Sequence, residues 1–132
     1  MNYDPVFDKW HEECGVFGVY DRTVDVARYV YWGLFALQHR GQESAGIAVT
    51  DGHGVELKKG MGLLTEAIKE LPSLSSHMGT GHVRYSTTGS NNPRNIQPLV
   101  IHYQGGQIAV AHNGNLTNAL AIRKRLEADG SI

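Results

Sequence analysis

Residues 12–20 read Glu12-Glu13-Cys14-Gly15-Val16-Phe17-Gly18-Val19-Tyr20 and hold the only cysteine of the chain. Val16, Phe17, Val19 and Tyr20 have the β-branched and aromatic character of a strand, and Gly15 and Gly18 admit a neighbouring backbone or a ligand. The pattern predicts a strand over Cys14–Tyr20, closed by the polar pair Asp21-Arg22. A thiol at the head of such a strand is held by a sheet, not by a loose tail. Two readings of it compete. A free cysteine is most often a small buried hydrophobe. Alternatively Cys14 is a nucleophile, and residues 1–13 are a leader whose removal would turn its backbone nitrogen into a free amine.

Working outward, 132 residues make one domain or a piece of a larger one. Hydrophobic residues at 41% and charged residues at 19% fit a globular chain and not a disordered one. Twelve basic against thirteen acidic side chains leave a net charge of −1, so no basic footprint points to nucleic acid or to an anionic membrane. A single cysteine cannot close an internal disulfide, which makes a cytoplasmic location the default. The first thirteen residues contain Asp4, Asp8, Glu12 and Glu13 and no apolar run, unlike a secretory signal, and no segment has the length of a membrane span.

Along the chain, Val26, Val30, Leu34 and Leu37 recur at helical spacing and predict a helix over Asp25–His39. Gly33 within it weakens the helix by about 1 kcal/mol relative to Ala, which implies a close packing partner. Arg40-Gly41-Gln42-Glu43 breaks the pattern. Ala45–Thr50 and Val55–Lys59 predict a hairpin about Asp51-Gly52-His53-Gly54. Thr65 is placed to cap a short helix ending before Pro72. Gly81–Tyr85 reads as a strand, Ser86–Gln97 as a polar loop, and Leu99–Tyr103 with Ile108–His112 as a second hairpin. A last helix carries Ala119, Ile122 and Leu126, with Gly130 placed to end it. Strands paired with neighbours and helices on their faces predict an α+β fold. The chain stops two residues after Gly130 without a polar tail, which suggests a piece of a longer protein.

Several groups could carry chemistry. The seven histidines include no helical i,i+4 pair and no second cysteine joins them, so no metal site is expected. Gly60-Met61-Gly62 lacks the remaining residues of a nucleotide loop and reads as a turn. Asn113-Gly114 is either a type I′ hairpin turn or, between a strand and a helix, a carboxamide and an unhindered N–H aimed at an oxyanion. Arg84 is either a structural ion pair or a bidentate clamp on a carboxylate, and Arg40 is a second candidate for either part.

Four blocks then carry a resemblance: Cys14-Gly15-Val16-Phe17-Gly18, Leu37-Gln38-His39-Arg40-Gly41-Gln42-Glu43-Ser44-Ala45-Gly46, Gly81-His82-Val83-Arg84-Tyr85-Ser86-Thr87, and Ala111-His112-Asn113-Gly114-Asn115-Leu116. In this order they resemble the glutaminase domain of the amidophosphoribosyltransferases, which are N-terminal-nucleophile amidotransferases. The block at 38–42 favours that family over glucosamine-6-phosphate synthase, which has Tyr-Arg-Gly-Tyr-Asp there. The resemblance implies an αββα four-layer sandwich, incomplete here, with a leader over 1–13 and the N-terminal part of a class II amidotransferase domain over 14–132. It implies Cys14 as nucleophile with its own freed α-amine as base, and Asn113 and Gly114 as the oxyanion hole. Arg84, Tyr85 and Thr87 would bind glutamine, and Arg40 would lie near the nucleophile.

The reaction implied is release of ammonia from glutamine to make 5-phosphoribosylamine from phosphoribosyl pyrophosphate, the first step of purine biosynthesis. The phosphoribosyltransferase domain is absent, as is the Ser-Asp-Ser/Thr-Glu motif that grips the glutamine amine in relatives. This stretch alone is therefore expected to be weak or inactive. No cofactor is expected within it; a longer protein would use Mg, often carry a 4Fe–4S cluster, and form a homo-oligomer. The alternative is a non-catalytic domain of the same fold acting as an interaction module with Cys14 merely buried.

Overall fold

The computed structural model describes residues 13–85, 92–114 and 116–131. Among these residues six strands form two antiparallel sheets. The larger contains β1 (Gly15–Tyr20), β2 (Ser44–Thr50), β3 (Val55–Met61) and β4 (Met78–Arg84) in the order β1-β4-β2-β3. The smaller is the hairpin of β5 (Leu99–Tyr103) and β6 (Gly106–Val110). Three helices complete the order: α1 (Val26–Ala36), α2 (Leu64–Ala67) and α3 (Ala119–Ala128).

Alternation along β4 assigns the two faces of the large sheet. A Cβ on Gly79 or Gly81 would meet Val26, Val30 and Leu34 of α1, so odd positions of β4 face the helix and even positions face away. The register carries this parity across the sheet, since Val16 and Gly46 both pair with His82. On the helical side Val26, Ala27, Val30 and Leu34 pack against Ala45, Ile47, Val49 and Val83, with Leu64 and Ile68 of α2 closing the cluster. Val26, Val30 and Leu34 are positions whose spacing predicted α1, and Leu37, the fourth, packs against the cluster partly buried. Each fully buried side chain of this size contributes roughly 1.5–3 kcal/mol.

The other face meets the small sheet. A Cβ on Gly46 would collide with the Gln97 carbonyl and touch the Pro98 ring, and Val55 N–H donates to Gln107 Oε1 at 2.9 Å. The Gln97–Pro98 peptide bond there is cis. Helices α1 and α2, the large sheet and the small sheet are thus stacked as three successive layers, in the order expected of the αββα sandwich. Helix α3 forms but buries none of its residues.

Several local expectations are corrected. Helix α1 ends at Ala36, not at His39, and Gln38–Arg40 tightens into a 3₁₀ turn. The Gln38 carboxamide holds that turn by donating to the Gly41 carbonyl and accepting from Leu64 N–H at 2.8 Å. Thr65 lies inside α2 and does not cap it; the Glu66 carboxylate accepts from Leu63 N–H at 2.9 Å instead, half of a capping box. Helix α2 stops at Ala67, well before Pro72, because Ile68 turns into the core while the Ala67 backbone lies against Gly60. Gly60 and Met61 belong to β3, and the turn comes only at Gly62, whose φ is +92°. The second hairpin turns more tightly than strands over Leu99–Tyr103 and Ile108–His112 implied, with Tyr103 paired to Gly106.

Candidate active site

Cys14 stands just before β1 with a positive φ of 59°, the only non-glycine residue among those described to do so. That conformation is uncommon for a side-chain-bearing residue and persists only where neighbours fix it. They do. Cys14 N–H donates to the Arg40 carbonyl at 2.8 Å, and Arg40 Nε–H donates back to the Cys14 carbonyl at 2.7 Å. The thiol meets the backbone of Tyr85, accepting from its N–H at 3.3 Å and donating to its carbonyl at 3.4 Å. Cys14, Arg40 and Tyr85 are therefore in direct contact across three distant parts of the chain.

Gly41 makes this possible. A Cβ there would lie 2.6–2.7 Å from backbone atoms of Val83 and Arg84, so only glycine lets the 3₁₀ turn press flat on β4 and bring Arg40 to the cysteine. Arg84 pairs with Ser44 and lies on the even face of β4. Among the described residues no carboxylate pairs with its guanidinium. The neighbouring Ser44 hydroxyl is 2% exposed and has no hydrogen-bond partner among them either.

His82 occupies the same face, two residues before Arg84, and is 1% exposed. Its Nε2 lies 3.1 Å from Asn113 Oδ1. Asn113 follows β6, and the preceding corner is tied down by His112 N–H donating to Gln97 Oε1 at 2.7 Å. Burial pushes the His82 imidazolium down to about 4 from 6.5, against the opposing pull of the Asn113 and His112 oxygens, so the ring is neutral near pH 7. The Asn-Gly corner thus stands on the sheet face away from α1, at the end of β4 where the thiol meets Tyr85. Gly114 is exposed beside Asn113. Thr87 and residues 1–12, which make up all but the last residue of the leader expected over 1–13, lie outside the described residues.

Three neighbours of this cluster were not singled out by the sequence: His82, Gln97 and Ser44. A signal for His82 existed, since period two places it on the face of Arg84. Gln97 and Ser44 carried no such signal. The opposite end of the intersheet space is an open apolar cavity of about 610 Å³, lined by Tyr20, Thr50, Met78, Thr80 and Ile108 among others. It takes no part in this cluster. No three His, Cys, Asp or Glu side chains converge as a metal-ligand set among the described residues, and one cysteine cannot supply the thiolates of an iron–sulfur cluster.

Comparison with known proteins bears on the family and the fold. Residues 34–129 match the family described as glutamine amidotransferases class-II. The chain is 49% identical over 122 residues to an amidophosphoribosyltransferase of Methanocaldococcus jannaschii, covering 90% of this chain and 26% of that protein. It is 46% identical over 125 residues to the amidophosphoribosyltransferase of Bacillus subtilis, covering 92% and 26%. The fold superposes on the glutamine phosphoribosylpyrophosphate amidotransferase of B. subtilis, solved with ADP and GMP, with a TM-score of 0.77 at 44% identity over 89% of this chain and 25% of that one. A structure titled the allosteric regulatory enzyme of purine biosynthesis gives 0.76 at 45%, covering 89% and 26%. The chain spans about a quarter of the length of these relatives. By the extent of the family match and by its fold, the chain belongs to the class-II glutamine amidotransferases.

Proposed function

We propose that this chain is the N-terminal part of the glutamine-hydrolysing domain of an amidophosphoribosyltransferase, with residues 1–13 as a removable leader and Cys14 as the nucleophile. The observation that carries the reading is the meeting of Cys14 with Arg40 and the Tyr85 backbone at the same end of the sheet where His82 holds Asn113. The relatives named above support the substrate.

Once Glu13 is removed, the Cys14 nitrogen becomes an α-amine titrating near about 8, a base that a peptide nitrogen cannot be. The amine keeps the Arg40 carbonyl as a fixed acceptor, which orients its lone pair. It takes the thiol proton as sulfur attacks the side-chain amide carbon of glutamine. The carbonyl π-electrons move to oxygen, which the Asn113 amide and Gly114 N–H stabilise. Collapse of the tetrahedral adduct expels ammonia with the proton from the amine and leaves a thioester on Cys14. Water then releases glutamate. Arg84, without a carboxylate partner among the described residues, receives the α-carboxylate of the substrate, with Tyr85 and Thr87 beside it.

In the intact protein the ammonia displaces pyrophosphate from phosphoribosyl pyrophosphate in a second domain, giving 5-phosphoribosylamine at the start of purine synthesis. That protein is proposed to be cytoplasmic and homo-oligomeric, with any Mg or iron–sulfur cluster held outside this stretch. Intact mass and labelling test the reading. Active protein begins at Cys14, a diazoketone analogue of glutamine adds once and only there, and Cys14→Ala abolishes glutamate release. Residues 1–13 retained on fully active protein would refute the assignment of the base.

A further inference from the structure

Asn113 can serve an oxyanion only in one of its two orientations. Its carboxamide must turn the NH₂ group toward the substrate and the oxygen away, and the two ends are nearly equal in size. A free asparagine would divide itself between both. An exposed corner supplies no steric reason to choose, and Asn113 is exposed.

We infer that His82 makes the choice: as a positioning residue it donates from Nε2–H to Asn113 Oδ1 and so turns the Asn113 NH₂ toward the developing oxyanion. This rests on the proposed role of Asn113. Three observations carry it. The ring is buried within the sheet, on a strand paired on both sides, so it cannot follow the corner if the corner moves. Its Nε2 lies 3.1 Å from the carboxamide oxygen. Its Nδ1 is buried and makes no hydrogen bond among the described residues, the His112 carbonyl that pulls on the ring being outside bonding geometry with that atom.

That last atom decides the tautomer. An orphaned buried N–H is costlier than an orphaned lone pair, so the proton belongs on Nε2, where it has an acceptor. With the proton there, only the oxygen end of Asn113 can face the ring. Rotating the carboxamide would set its NH₂ against the Nε2–H, two donors face to face, and would move the hydrogen to the partnerless Nδ1 if relieved. Burial also keeps the ring from taking a second proton near neutrality, so the tautomer persists across the working pH range.

The experiment compares His82→Gln, whose Nε2 can reach the same place, with His82→Asn, whose shorter amide cannot, in the intact protein. For His82→Asn, kcat for glutamine hydrolysis falls about 10²-fold, the scale for losing one oxyanion donor, while KM for glutamine stays within about twofold. His82→Gln recovers most of the lost kcat. Alkylation of Cys14 by iodoacetamide, a displacement that forms no oxyanion, proceeds at the wild-type rate in both and reports an intact fold. Nitrogen-15 spectra of the wild-type ring provide a check free of mutation: Nε2 is protonated and Nδ1 is bare. Equal kcat in the two variants, a KM effect with kcat preserved, or an Nδ1-protonated ring overturns the inference. Wild-type protein that hydrolyses no glutamine, or does so without Cys14, overturns the underlying function instead, so the two failures are distinct.

Discussion

Acidification tests the environment of His82 quantitatively. The ring titrates near 6.5 when the chain is unfolded and, pushed down by burial, at about 4 in the fold. Between these values the unfolded chain binds a proton that the native state refuses, so stability is complete above pH 7 and falls as pH drops toward 4. Below about 4 the native ring protonates too and this contribution to the slope ends. Linkage between 6.5 and 4 gives a loss under 1 kcal/mol at pH 6 and about 2 kcal/mol at pH 5. The carboxylates held low by hydrogen bonds, Asp21 from the Thr23 hydroxyl, Asp51 from His53 N–H and Glu56 from Leu74 N–H, also lose stability in acid. Their windows open mainly below about pH 5, near and beneath their unfolded values. The assay is urea unfolding of wild type and His82→Gln at pH 7.5 and 5, followed by tryptophan fluorescence. Wild type should lose about 2 kcal/mol more than the variant, because glutamine has no proton to gain. Parallel losses, or a His82 ring titrating near 6.5 by NMR, would show that the ring is hydrated and the reasoning wrong.

Three further outcomes follow from the packing. Gly41→Ala sets a Cβ against the Val83 and Arg84 backbone, so it should cost about 1–3 kcal/mol and slow iodoacetamide capture of Cys14, measured by mass spectrometry, as Arg40 is displaced. Leu34→Ala leaves a hole in the fully buried cluster between α1 and the sheet and should cost about 2–5 kcal/mol in urea while KM for glutamine is unchanged in the surviving folded fraction. Arg84→Lys keeps the charge but loses the fork that matches a carboxylate; KM for glutamine should rise at least tenfold, by about 1.4 kcal/mol or more.

Much of the fold is written locally. The four-residue recurrence of Val26, Val30 and Leu34, the capping position of Asp25 and the turn residues at 51–54 lie within a few residues of what they shape, and the structure forms α1 and the β2–β3 hairpin there. Asp25 accepts from Arg28 N–H at 3.1 Å, a cap that needs no distant partner. Gly33 was legible as a point of close approach, but that Phe17 fills the space could not be read, because β1 and α1 meet only after the sheet assembles. The early end of α1 was hidden for the same reason: Gln38 leaves the helix to bond with α2, 26 residues away.

The residue types of the proposed site, a lone cysteine, two arginines and an Asn-Gly corner, were likewise fixed by the chain itself, since reactivity belongs to side chains and can be recognised one residue at a time. Their company was not. Cys14 and Tyr85 are 71 residues apart, and His82 and Asn113 are 31 apart. Those contacts depend on β4 lying between β1 and β2, and on the small sheet covering the face away from α1. A strand order and a choice of sheet face are settled by burial of the whole chain at once. For this reason the sequence could place His82 on the face of Arg84, but only the tertiary structure set it behind the carboxamide.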